Sequence, residues 1–470
     1  MEQQTNIVCR TPSIEALIPE HAQIAFDVLT SANKQAYVVG GFIRDAVMGS
    51  GAHDIDMATD ALWYQTREIF ESKGFPTVGT GVKHGTVTVL IKGHPVEITT
   101  FRSDGTYSDH RRPDRVRFVR SIEEDLARRD YTINALAWNP KDGLVDPYGG
   151  RDDIEQGIIR AVGDPGKRFN EDALRILRGV RFCSQMGFSI EDETSQAIHA
   201  HVDDIDHVAV ERVSVEYDSI VCGKNAVNAL RSYVDVVSKV IPAVSRMVGF
   251  DQRSTWHVYD VWEHCLHALD ALEKDSSKLV KHVTLLHDIG KPQCFTVGED
   301  GRGHFYGHEE HGARLVRAAF KRLRWRATDI AIAGVLVAQH DHHIEPTERG
   351  VRRMLARLAR AYPGAEEYAP KMFEDLLSIK RADTLAHAPI CTERRLEEID
   401  KVEATYLALE EQSRAFSIRD LSVNGGDVIA LGVAPGPAVG HILKRALNAV
   451  IEGDVRNERE ALLDFIRGEV

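Results

Sequence analysis

Two aspartates one residue apart, Asp54-Ile55-Asp56, are the first chemistry this chain offers. On a strand, residues i and i+2 leave the same face, so the pair holds two carboxylates side by side. That like-charge arrangement is costly unless cations bind there. Mg²⁺ takes one or two carboxylates plus substrate phosphate oxygens, and a metal pair clamps attacking and leaving oxygens. Upstream stands Gly40-Gly41-Phe42-Ile43-Arg44-Asp45, with Gly41 thirteen residues before Asp54. Paired glycines after a strand let backbone N–H groups approach a phosphate, and Arg44 adds a charge-assisted bond. Glu97, in HPVEITTF, is a candidate third carboxylate on a neighbouring strand. Arg128-Arg129-Asp130, at the head of an apolar segment, suits phosphate or ribose and equally suits a charged helix start.

Residues 170–182 suggest a helix that meets a base. Asp172, Arg175, Arg178 and Arg181 recur every three residues. Each step drifts back by about 60°, which puts the first three on one face and Arg181 at its margin. The bland alternative is a salt-bridged surface helix, with Asp172 and Arg175 as a favourable i,i+3 pair. The sharper alternative follows from donor and acceptor inventory: a carboxylate only accepts and a guanidinium only donates. Side by side they match the amino group and ring nitrogen of cytosine or adenine, and mismatch uracil and guanine.

A second constellation lies in the other half: His264, adjacent His287-Asp288 at the end of an apolar helix, and a distant Asp383. Together they form an N/O ligand set for Mn, Ni, Fe or Mg. His308 and His340 extend it to a possible second metal. A lone histidine on an apolar helix is more often a satisfied core residue, but here four positions coincide. His267, His311, His342 and His343 are read as non-ligand neighbours.

The elements that must position these groups change character along the chain. AYVVGG is a strand entering a tight turn, and DIDMAT, TVTVL and HPVEITTF alternate like half-buried strands. RSDGTYSDHRRPDR is polar, with Gly and Pro, and is expected to be an exposed loop. Strand signals nearly vanish after LVDPYGGRDDI, and helical periodicity takes over from Asn170. The expectation is an α+β protein: a small mixed sheet over 1–155, then helical segments over 156–250, 251–390 and 391–470.

Composition sets bounds. The 470 residues suit three or four domains. At 43% hydrophobic and 27% charged, the chain is globular rather than disordered. No apolar run approaches a membrane span, no secretory signal is apparent, and the six cysteines contain no C-x-x-C. The expected compartment is the cytosol. The net charge of −13 disfavours nucleic acid on its face. Local patches oppose that sum: residues 101–120 hold six arginines against three aspartates, and 160–181 six basic against three acidic residues.

GGFIRD, DID, RRDYTINALA, VDPYGGRDDI and EDALRILRGVRF, in this order and spacing, resemble the class II CCA-adding tRNA nucleotidyltransferases and bacterial poly(A) polymerases. The loop DGTYSDHRRPDRV resembles the flexible loop of CCA-adding members. The resemblance implies a head carrying the sheet, followed by all-α neck, body and tail. It implies nucleotide contacts at Gly41 and Arg44, Mg²⁺ at the catalytic Asp54 and Asp56, and ribose contacts at Arg129 and Asp130. Asp172 with Arg175 would be the amino-acid template, and Arg178 with Arg181 would hold the triphosphate. The implied partners are tRNA, CTP and ATP. Residues 255–385 resemble the HD-domain phosphohydrolases, which implies a divalent metal at His264, His287, Asp288 and Asp383. The alternatives are a poly(A) polymerase, an enzyme adding only CC or only A, and an HD phosphohydrolase with an RNA-binding head.

Overall fold

The computed structural model describes residues 14–51, 55–82, 85–104, 116–412 and 418–469. Asp54 and most of the DGTYSDHRRPDR loop lie outside these residues. The chain forms two compact units, Met1–Ala229 and Leu230–Val470.

The first unit is built on β1 (Ala36–Val39), β2 (Asp56–Thr59), β3 (Thr77–Gly81), β4 (Thr86–Ile91) and β5 (His94–Thr100). It continues with β6 (Arg102–Asp104), β7 (Val116–Phe118), β8 (Ala137–Asn139) and β9 (Gly143–Val145). Seven of them make one sheet in the order β3-β4-β5-β2-β1-β8-β9. It is mixed: β2 and β5 run parallel, and the other neighbours antiparallel. The apolar run of β1, in the interior of the sheet, is buried throughout, as a strand covered on both faces is. On β4 and β5 the alternation is kept, with Val87, Val89, Val96 and Ile98 inside.

β6 and β7 pair as a separate antiparallel ribbon, Arg102 opposite Phe118. The expectation of a loop from Arg102 onward is therefore corrected at its start, where Arg102, Ser103 and Asp104 are strand. Fully buried Phe101 anchors the ribbon, and its carbonyl accepts from the Val119 N–H at 3.0 Å. This pairing partner lies across the loop, where a local polar pattern carries no sign of it.

The expected continuous helix over 170–182 is also corrected. One helix, Pro165–Glu171, ends at Asp172, whose φ of −147° and ψ of 101° are extended. Another, Leu174–Met186, begins beyond it. The Asp172 carboxylate accepts the Leu174 N–H at 3.1 Å, the local competition with helix that favours aspartate at helix starts. Asp172 thus does not share a helix face with Arg175 and Arg178.

The second unit is helical apart from a ribbon of Thr296–Val297 with Gly303–His304, among the described residues. Helices Val261–Asp270, Lys278–Leu286, His308–Arg322, Ala327–Gln339 and Ala369–Leu385 carry many of its buried groups. The C-terminal segment has its own apolar cluster, including Val428, Leu443, Leu447, Leu462 and Ile466. No described helix is long and apolar enough to cross a membrane.

Candidate active site and metal centre

Strand register brings the first constellation together. Asp56 opens β2 and lies opposite Val39, the last residue of β1, so the Gly40-Gly41 turn begins beside it. Across β2, Asp56 is in register with Glu97 of β5. Both are exposed, and paired positions project to one face of a sheet. Carboxylates are hard oxygen donors of the kind that Mg²⁺ takes.

The turn is shaped for close approach. Gly40 has φ +74°, and a methyl group there would stand 2.8 Å from Arg129 Nη1. Arg129 therefore lies over the turn, where burial lowers the pKa of its guanidinium and the charges of Asp125, Asp130 and Asp56 offset that only in part. Asp125 is almost fully buried. Its Oδ1 accepts from Arg128 Nε at 3.0 Å and from the Arg102 N–H at 3.2 Å, and its Oδ2 lies 3.5 Å from Arg129 Nη2. One carboxylate thereby ties the base of the β6–β7 ribbon to both arginines.

Arg44 donates to Asn134 Oδ1 at 2.8 Å and pairs with Asp45 at 2.8 Å. Asn134 in turn donates to Asp130 Oδ1 at 3.3 Å. Arg178 donates to Asp130 Oδ2 at 2.7 Å. Burial alone would push the Asp130 carboxyl up, but the Arg178 and Arg175 charges outweigh it and hold the group well below the usual range. Arg181 pairs with Glu216 at 3.1 Å. The guanidinium carbons of Arg44, Arg178 and Arg181 all lie over the Phe182 ring, at 5.4, 5.4 and 4.6 Å from its centroid. Three cations, each paired with its own carboxylate, are thus gathered on one buried ring.

The expected Asp172–Arg175 ion pair is not formed. Arg175 is buried and donates to Glu171 Oε2 at 2.8 Å, to the Arg168 carbonyl at 3.1 Å and to the Arg128 carbonyl at 2.9 Å. Asp172 accepts instead from Arg212 Nη2 at 3.0 Å. Arg212 and Glu216 belong to one helix, Val210–Val221, and sequence reading passed over both. Their four-residue spacing on one helix face was visible, but nothing local named their partners. Asp125, Asn134 and Phe182 were likewise missed.

The second constellation does converge. His264 Nε2 lies 2.8 Å from Asp383 Oδ1 and 3.6 Å from Asp288 Oδ2. His287 Nε2 lies 3.3 Å from Asp288 Oδ2 and 3.4 Å from Asp383 Oδ1. The other oxygen of Asp288 faces His308 Nε2 at 3.5 Å and His340 Nε2 at 3.4 Å. Three candidate ligand groups overlap here, His264 with His287 and Asp383, Cys265 with His287 and Asp288, and Asp288 with His308 and His340. All four histidines turn Nδ1 to a backbone carbonyl: Ala386, Thr284, Phe305 and Val337 in chain order of the histidines. That contact fixes the tautomer and aims Nε2 inward, as metal-bound histidines are held. Asp288 Oδ1, His287 Nε2 and His308 Nε2 are buried without a hydrogen bond of good geometry, which a cation would satisfy. The residues therefore fit a divalent metal.

Gly290 makes this convergence possible, because a methyl group there would stand 2.1 Å from the His308 carbonyl oxygen. Lys291 was missed as part of the site. Its Nζ lies 2.6 Å from Asp288 Oδ2 and donates to Gln252 Oε1 at 2.9 Å. His257 and His387 also meet the His264 ring edge to face, at 5.3 and 5.0 Å between centroids. Of the histidines set aside, His267 stacks on Tyr259 and His342 accepts from Arg357.

Family models match along the chain: a poly A polymerase head domain at 36–160, an RNA and SrmB-binding site of polymerase A at 187–236, an HD domain at 256–388 and a tRNA nucleotidyltransferase domain 2 at 376–466. Fold and site together define a nucleotidyltransferase carrying an HD domain. The CCA-adding enzyme of Streptococcus mutans is 32% identical over 96% of this chain and 98% of its own length. That of Lactiplantibacillus plantarum is 33% identical over 95% of each. The crystal structure of the Bacillus stearothermophilus CCA-adding enzyme in complex with CTP matches at 28% identity and a TM-score of 0.69, covering 96% of this chain and 98% of that one. The Thermotoga maritima CCA-adding enzyme complexed with tRNA shares the fold, with 21% identity, a TM-score of 0.59 and coverage of 97% of this chain and 99% of that one. The chain belongs to the CCA-adding enzyme family.

Proposed function

We infer that this protein adds C, C and A to the 3′ end of tRNA without a nucleic-acid template, using CTP and ATP. The terminal hydroxyl attacks the α-phosphate, an O–P bond forms, and the bond to pyrophosphate breaks. The observation that carries this reading is the register of β1, β2 and β5, which gathers Asp56, Glu97 and the Gly40-Gly41 turn in a chain with CCA-adding relatives along its length.

The roles follow from the chemistry of each group. Asp56, with Asp54, would hold Mg²⁺, which when bound lowers the cost of charge developing on the reacting oxygens. Gly41 and Arg44 would receive the nucleotide, Arg178 and Arg181 the triphosphate, and Arg129 with Asp130 the ribose. Asp172 and Arg175 would read the base edge, after Asp172 exchanges its bond to Arg212 for one to the base. Catalysis would rest mainly on positioning and fixed charge. Residues 1–155 would act as the catalytic head, 156–250 as the nucleotide- and RNA-binding neck, 251–390 as the HD body and 391–470 as the tail. The cytosol is the proposed compartment.

The test is a 3′-end assay on tRNA lacking CCA, with nucleotides given singly and together and the products sequenced. Growth by C, C and A followed by a stop is expected. A long A tail would mean a poly(A) polymerase, and a stop after CC or failure to add C would mean a partial enzyme.

A second reading attaches to the HD centre, where buried, unbonded ligand atoms favour a resident divalent metal and a metal-dependent phosphohydrolase. Metal analysis of the purified protein and of His287→Ala tests it. Equal metal content in the two would overturn it.

A further inference from the structure

The HD ligands open into a cleft of about 390 Å³ whose walls include Trp256, Lys291, Tyr306, His340 and Arg395. A second cavity of about 180 Å³ also reaches His340, Asp383 and Arg395. Arg395 is thus common to both openings at the metal ligands. It comes from helix Pro389–Gln412, beyond the 256–388 span of the HD match.

Arg395 differs from its cationic neighbours. Arg394 pairs with Glu398, and Arg381 with Asp400 and Glu403. Lys291 is committed to Asp288. Among the described residues no carboxylate pairs with Arg395, whose guanidinium carbon lies 5.6 Å from the Trp256 ring centroid. Trp256 is itself held, with its carbonyl accepting from the Ala388 N–H at 2.9 Å and its N–H donating to Ser254 Oγ at 3.2 Å. A guanidinium held over an aromatic ring rather than paired with a carboxylate keeps N–H donors for an oxyanion. Two aromatic rings border the same cleft, Trp256 at 48% and Tyr306 at 80% exposed. Tyr306 is stiffened by stacking on His304 at 5.4 Å and 4°. Exposed rings of this kind offer a stacking surface for a flat heterocycle.

We propose that Arg395 is the phosphate-holding arm of the HD centre, and that its ligand is a nucleoside phosphate whose base lies against Tyr306. The proposal rests on the metal reading above. The Trp256 ring and the C-terminal helix position the arm, and a phosphate held by Arg395 in this cleft would face Asp288, His308, His340 and Asp383, the residues that would hold the metal.

The experiment uses the full chain loaded with Mn²⁺, with metal content measured, and inorganic phosphate and adenosine monophosphate as probes in equilibrium dialysis. Only binding that is lost in both His287→Ala and Asp383→Asn is counted, which separates this site from the nucleotide site of the first unit. Arg395→Ala is expected to weaken both probes about tenfold or more at unchanged metal content, and Arg395→Lys to recover part of the loss. Tyr306→Ala is expected to weaken adenosine monophosphate and leave phosphate unchanged. Unchanged phosphate affinity in metal-loaded Arg395→Ala would overturn the arm. Unchanged adenosine monophosphate affinity in Tyr306→Ala would overturn the base platform. A wild-type chain that takes up no metal would overturn the metal reading and this proposal with it.

Discussion

Single side chains in the first unit carry charge that the fold has already committed. Asp56 lies opposite Val39, beside the Gly40-Gly41 turn, and Asp56→Asn keeps its size while removing its charge. Nucleotide transfer should fall by about a thousandfold, the scale on which loss of an electrostatic stabiliser acts. Transfer within tenfold of wild type, at saturating Mg²⁺, would remove Asp56 from the metal site. Asp130 gives a pH signature. Its folded pKa lies below the unfolded carboxylate value of about 3.9, so its contribution is complete above that value. The contribution is lost as pH falls toward the folded pKa. Asp130→Asn should lower stability at neutral pH by about 3 kcal/mol, because Arg178 loses its buried partner. It should also flatten the acid limb of the melting temperature between pH 4 and 2. Identical acid limbs in thermal melts of the two proteins would mean that Asp130 is not the titrating group.

Short elements transmit these placements. Asp125, in helix Ile122–Ala127, joins the β6–β7 ribbon to Arg128 and Arg129. Asp125→Asn should raise KM for CTP and ATP several-fold with a smaller change in kcat, and cost about 1–3 kcal/mol. Steady-state kinetics showing only a kcat loss would argue against a positioning role. Gly290 does comparable service in the second unit, where the turn after His287-Asp288 presses on the His308 carbonyl. Gly290→Ala should cost about 1–3 kcal/mol by overpacking and reduce metal uptake. Normal uptake in the folded variant would mean that the turn gives way without moving its ligands. The strands, the glycine turn and the His-Asp helix end were all legible from alternation and residue type. The helix break at Asp172 was not. Arg175 and Arg178 keep the periodicity of a helix on one side, while Asp172 bonds its own backbone neighbour on the other.

At the scale of the molecule, two chemistries sit in two compact units. Substitutions should therefore separate them. His287→Ala is expected to lose bound divalent metal and keep CCA addition, whereas Asp56→Asn should do the reverse. Parallel metal analysis and primer-extension assays check this, and loss of addition in a folded His287→Ala would tie the HD centre to the transfer reaction.

The chain's residue types and short spacings by themselves determined which candidates for chemistry it offers: the Asp54-Ile55-Asp56 carboxylates, the Gly40-Gly41 turn, an arginine-rich segment and the His287-Asp288 pair. They also determined the change from sheet to helix, because alternation and helical period act over a few residues. Only the tertiary structure decided which charges meet. Arg212 reaches Asp172 across 40 residues, and His264 reaches Asp383 across 119. A carboxylate buried away from water needs a cation near it, but local pattern does not say which one. The choice among the available arginines belongs to the packing that brings their helices together.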